Sequence, residues 1–105
     1  MKSPLNYLSE AAVLTQVRDY LRVKGFYVMR IHQSLGSQRG VSDLIAIKDG
    51  KVIFIECKSQ HAKSRQSGEQ LIFQQQIEKH GGIYVLARSY EDVERVINRV
   101  DNHYP

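Results

Sequence analysis

The stretch Asp43–Leu44–Ile45–Ala46–Ile47–Lys48–Asp49–Gly50–Lys51–Val52–Ile53–Phe54–Ile55–Glu56–Cys57–Lys58 decides the reading of this chain. Two runs rich in β-branched and aromatic residues flank the dipeptide Asp49–Gly50. A two-residue hairpin turn needs positive φ at both central positions, and Asp-Gly tolerates that. The turn pairs Lys48 with Lys51, and the same register, continued without a bulge, sets Asp43 directly opposite Glu56. Side chains alternate across a strand, so Glu56 and Lys58 share a face with Val52 and Phe54. Ile53, Ile55 and Cys57 point the other way, and Cys57 is expected as a buried neutral thiol.

Opposed side chains on neighbouring strands have Cβ atoms about 5 Å apart. Two negative charges at that distance repel by about 3 kcal/mol at an effective dielectric of about 20. A shared proton or a divalent cation relieves such a pair, and Mg²⁺ is commonly held by one or two carboxylates with water and phosphate oxygens. Lys58 beside them suits orienting a water or stabilising charge on a phosphate, which is the equipment of phosphodiester hydrolysis. On periodicity alone the same residues also fit a surface hairpin with scattered charges, with Lys58 ending its strand.

Outward from the hairpin, Val13, Leu14, Val17 and Leu21 recur at helical spacing between Ser9 and Lys24, and Gly25 is a natural stop. Phe26 to Ile31 suits a strand, and Ser34 to Gly40 reads as a flexible polar loop. Beyond Lys58 a basic loop runs from Ser59 to Gln66, and a helix runs from near Ser67 to Gly81–Gly82. Ile83 to Ala87 then forms a buried strand, and a last helix runs from Ser89 to about Val100. The order is helix, three strands, helix, strand, helix. A strand–helix–strand crossover implies parallel pairing, so an α/β fold with a mixed four-stranded sheet flanked by helices is expected.

The 105 residues suit one domain, 1–105. Lysine and arginine outnumber the acids 15 to 11, and the net charge of +4 suits a polyanionic partner. A lone cysteine excludes an internal disulfide framework. No apolar run approaches the roughly 20 residues of a membrane helix, and Met1 to Pro4 lead into polar sequence, so a cytoplasmic protein without membrane attachment is expected. No Gly-rich phosphate loop supports a nucleotide cofactor. His32, His61, His80 and His103 lack metal-ligand spacing and receive no role.

Gly40–Val41–Ser42–Asp43, then a strand, then Glu56–Cys57–Lys58 resembles the PD-(D/E)xK nuclease signature. The chain from about Ser9 to Ile97 looks like a small stand-alone VRR-NUC domain of that superfamily, with Ser42 where the family usually has proline. The resemblance implies a restriction-endonuclease-like fold and a Mg²⁺- or Mn²⁺-dependent endodeoxyribonuclease. Asp43 and Glu56 would bind the metal with the Cys57 backbone carbonyl as a further ligand, and Lys58 would position the attacking water.

The family usually supplies a third metal-site carboxylate from the first helix, which here is Glu10. Its competing reading is a first-turn acid complementing the helix dipole, although Glu10 falls on the stripe of Leu14, Val17 and Leu21, where an acid needs a partner. The family also carries an active-site glutamine matching Gln70, while Ser67–Gly68–Glu69–Gln70 is independently a capping box. Gln74, one turn on, is a weaker candidate. Arg39, Lys63 and Arg65 are candidate phosphate contacts in polar loops.

Stand-alone members resemble Holliday-junction resolvases, which act as homodimers, so branched DNA and a two-fold dimer are the expected partners. A flap or single-strand DNA nuclease and a non-catalytic DNA-binding module are the alternatives.

Overall fold

The computed structural model describes residues 7–32 and 39–103. Most of the loop expected at Ser34 to Gly40 therefore lies outside the described residues. The elements are α1 (Glu10–Val23), β1 (Tyr27–Arg30), β2 (Leu44–Lys48), β3 (Lys51–Cys57), α2 (Gly68–Lys79), β4 (Ile83–Ala87) and α3 (Tyr90–His103). This is the α-β-β-β-α-β-α order expected from the periodicities. The sheet runs β1-β2-β3-β4, with β1/β2 and β2/β3 antiparallel and β3/β4 parallel.

The hairpin turn has φ of 52° at Asp49 and 77° at Gly50. Its register is the expected one, from Lys48 opposite Lys51 to Leu44 opposite Ile55 without a bulge. Asp43 and Lys58 lie just outside the regular strands. The Asp43 carbonyl still accepts from Ile31 N (2.8 Å), and Lys58 N still donates to Ala87 O (2.9 Å), so both residues are tied to the sheet.

One sheet face is closed by α1 and α3. Val13, Leu14, Val17 and Leu21 from α1, with Val93 and Ile97 from α3, pack on Leu44, Ala46, Ile53, Ile55, Cys57, Val85 and Ala87. Each fully buried aliphatic side chain in this layer contributes about 1.5–3 kcal/mol. The layer holds the β2–β3 hairpin in place.

On the opposite face, among the described residues, α2 covers β3 and β4. There Phe73 of α2 sets its ring against Phe54 (5.8 Å) and Tyr84 (6.3 Å). Tyr27 and Val52 on the same face of β1 and β3 remain exposed, as do Leu71 and Ile72 on α2. Among the described residues, no helix is long and apolar enough to cross a membrane.

Candidate active site

The register delivers Asp43 and Glu56 to the open end of the hairpin. Asp43 Oδ2 accepts the Cys57 N–H at 2.8 Å, so its carboxylate is held against the β3 backbone. Glu56 is only 1% exposed. Its Oε1 accepts from the Gln70 side-chain amide and lies 3.9 Å from Lys58 Nζ. Its Oε2 is buried and has no hydrogen-bond donor among the described residues. Burial first, and the adjacent Asp43 carboxylate second, push the Glu56 carboxyl up to about 8, although Lys58 pulls the other way.

Gln70 makes the capping contacts and also reaches Glu56. Its Oε1 accepts the Ser67 N–H at 2.8 Å while Ser67 Oγ accepts the Gln70 N–H at 3.1 Å, completing the capping box. Its Nε2 is thereby left aimed at Glu56. The first turn of α2 can come this close because Gly40 has no side chain. A Cβ at Gly40 would lie 2.3 Å from the Glu69 carbonyl oxygen, and its φ is +77°. Ser42 is buried beside it, and its hydroxyl donates to the Leu44 carbonyl at 3.2 Å. Gln74 joins a separate group, accepting from Gln66, which also donates to the Tyr84 hydroxyl.

Glu10 corrects part of the expectation. It begins α1 one turn ahead of Leu14, where the apolar stripe has left the core, and it is exposed. Water solvates it, so its place on the stripe does not demand a partner. It is near enough that its charge adds to the upward push on Glu56 and on Cys57. Among the described residues, no three His, Cys, Asp or Glu side chains converge to hold a metal ion. Cys57 is fully buried with its thiol pushed up to about 12, chiefly by burial. Only its backbone carbonyl is chemically suited to a hard cation.

The residues present fit a divalent cation. Glu56 Oε2 is a buried oxygen without a donor, a second carboxylate lies beside it, and oxygen donors are what Mg²⁺ and Mn²⁺ prefer. Of the candidate phosphate contacts, Lys63 and Arg65 are exposed, and Arg39 pairs with Glu69 (3.3 Å) on the surface.

Two residues of this end have no motif signature. Arg88, directly after β4, donates to Ser59 O (2.6 Å) and to Ser64 O in the basic loop. Gln60 accepts from Leu8 N (3.1 Å) and donates to Arg88 O (3.0 Å). Their partners lie 24 to 52 positions away, beyond the reach of any local pattern.

Comparison with known proteins agrees with this construction. A solved structure described as a VRR_NUC domain superposes with a TM-score of 0.71 at 22% sequence identity, covering 91% of this chain and 97% of that one. That likeness establishes the fold. No curated protein sequence matches the chain. Residues 12–97 match the sequence model of the family described as archaeal Holliday junction resolvase (Hjc), a span that contains Asp43, Glu56, Lys58 and Gln70. The chain therefore belongs to the Hjc family of archaeal Holliday junction resolvases.

Proposed function

We propose that the protein is a Mg²⁺- or Mn²⁺-dependent endodeoxyribonuclease that resolves four-way DNA junctions as a homodimer. Membership of a resolvase family supports hydrolysis of phosphodiester bonds. The observation that carries the reading is the buried Glu56 Oε2, without a donor among the described residues, beside the Asp43 carboxylate, with Lys58 Nζ 3.9 Å from Glu56 Oε1. Two such acids repel unless a shared proton or a cation relieves them, and membership of a nuclease family favours the cation.

Asp43 and Glu56, with the Cys57 carbonyl, would hold the cation. When bound, it lowers the pKa of coordinated water and offsets charge building on the phosphate. The chain's own groups do the rest. The Cys57 N–H fixes the Asp43 carboxylate, and the Gln70 amide fixes the Glu56 carboxylate. Lys58 has a side chain only 12% exposed and would present a cationic donor to the attacking water or the phosphate oxygen. Lys63, Arg65 and Arg39 would grip flanking phosphates, as the net charge of +4 favours. Glu10 would act from the rim of the site.

A four-way junction needs two symmetric cuts, which one site on each subunit of a two-fold dimer supplies. Exposed Tyr27, Val52, Leu71 and Ile72 on the half-covered side of the sheet favour such association.

The test is cleavage of labelled four-way junction, flap, single strand and linear duplex with Mn²⁺, with EDTA, and with the Lys58→Ala variant, beside a measured solution mass. Junction cutting that needs the metal and Lys58, by a particle of twice the chain mass, is the expected result. Cutting of flaps or single strands with junctions spared would replace the resolvase by the flap or single-strand reading. Binding without metal-dependent cutting of any substrate would leave a DNA-binding module.

A further inference from the structure

We propose that Arg88 is a positioning residue that holds the loop of residues 59–66 in the shape that grips DNA. This inference rests on the nuclease reading of the adjoining site. The loop begins directly after Lys58, contains no helix or strand, and carries Lys63 and Arg65 with both side chains exposed. The Arg88 guanidinium reaches across it from the end of β4. Nη1 donates to Ser59 O at 2.6 Å and to His61 O at 3.5 Å, and Nη2 donates to Ser64 O. One side chain thus ties down three carbonyls spread along the loop.

Arg88 is itself fixed at both ends of its backbone. Its N–H donates to Asp92 Oδ2 (2.8 Å) in the first turn of α3, and its carbonyl accepts from the Gln60 side chain (3.0 Å). Gln60 also exchanges bonds with Leu8, through Leu8 N to its Oε1 (3.1 Å) and its own N–H to Leu8 O (3.0 Å). The loop is therefore pinned to β4, to α3 and to the segment that leads into Glu10.

The planar, multi-donor guanidinium suits this task, whereas a lysine ammonium is a single point of charge. Among the described residues no carboxylate pairs with the Arg88 guanidinium. Its ligands are carbonyl dipoles, so the positive charge stays beside Lys58 while the loop is held. A loop ordered before binding does not incur the ordering cost on each encounter with DNA.

The experiment compares wild type with Arg88→Lys, which keeps the charge without the span, and Arg88→Met, which keeps much of the side-chain bulk. Three readouts are taken: trypsin cleavage after Lys63 and Arg65, mapped by mass; binding of a labelled four-way junction in EDTA across a salt series; and single-turnover cutting of saturated junction with Mn²⁺. In both variants the loop should be cut about tenfold faster and DNA bound about tenfold more weakly, with the bound complex cut within about twofold of the wild-type rate. The salt slope should not change, because no phosphate contact is removed from the set. Added to the Lys63→Ala/Arg65→Ala double variant, Arg88→Lys should weaken binding no further.

Wild-type binding and trypsin resistance in Arg88→Lys would overturn the role. A slope shallower by about 0.9, the signature of one lost phosphate contact, would overturn it in favour of direct contact. A wild type that neither binds nor cuts the junction overturns the junction-resolving reading and this role with it. Normal wild-type binding with an unaltered Arg88→Lys overturns this role alone.

Discussion

The two ends of the β2–β3 hairpin pose the same problem and solve it differently. Each end places like charges across the strands, Lys48 opposite Lys51 at the turn and Asp43 with Glu56 at the open end. Such pairs are destabilising when directly opposed. At the turn the protein answers with its own groups. Lys48 Nζ donates to the Lys24 carbonyl (2.7 Å) and lies over the Phe26 ring, and Lys51 pairs with Asp101 (3.0 Å). At the open end Gln70 donates to Oε1 of Glu56, Lys58 stands 3.9 Å from that oxygen, no described donor reaches Oε2, and the carboxyl is pushed up to about 8. One end has been arranged for stability. The other keeps an electrostatic cost of the kind that clusters at functional sites.

The comparison breaks most visibly in activity. Lys58→Ala or Asp43→Asn should lower single-turnover cleavage by about a hundredfold to a thousandfold, as loss of one transition-state donor or metal ligand does. Lys48→Ala, the same kind of change at the turn, should leave cleavage within about twofold. Equal losses at the two ends would erase the distinction.

The next largest effect is on the scaffold of the open end. Gly40→Ala must accommodate a Cβ 2.3 Å from the Glu69 carbonyl oxygen at a φ of +77°. Urea unfolding should show a loss of about 2–4 kcal/mol, from left-handed backbone strain and overpacking together. Cleavage should fall with it, because α2 must retreat and take Gln70 from Glu56. A fully stable Gly40→Ala would mean that this approach is not needed.

The third effect sharpens the contrast through pH. Glu56 ionises less readily in the folded chain than at its ordinary value of 4.5. Between pH 4.5 and about 8 the folded state therefore holds more protons than the unfolded state, so stability falls as pH rises through that window. Metal-free protein should lose on the order of 3 kcal/mol from pH 5 to pH 8, measured by denaturant titration. Glu56→Gln should flatten the curve and exceed the wild type at pH 8 while losing cleavage. A wild-type curve that rises across the window would show that Lys58 outweighs burial and Asp43. The smallest effect belongs to the turn: Asp101→Ala removes a surface ion pair and should cost no more than about 1 kcal/mol, with cleavage unchanged.

Legibility in the sequence differed sharply between neighbouring residues. The Asp43–Glu56 juxtaposition was readable because a two-residue turn propagates its register rigidly along both strands. Gln70 stood out twice over, as a capping residue and as a family position, and its amide bonds the Ser67 backbone and Glu56 through different atoms. Glu10 was read from the same helical stripe as Leu14, yet it is exposed, since periodicity gives a direction around the helix and not how far the sheet extends beneath it. Arg88 and Gln60 carried no signal, because an arginine after a strand and a glutamine in a loop are common everywhere.

The sequence by itself determined the element order, the hairpin register and the identity of the acid pair, all consequences of short-range rules: backbone period, turn conformation and helix capping. Only the tertiary structure decided that Glu56 would be buried with one oxygen unanswered, because that required α2 to close over it across Gly40. It also decided that a basic loop would be held by Arg88, since hydrogen bonds between segments 24 to 29 positions apart exist only once the sheet has brought their ends together.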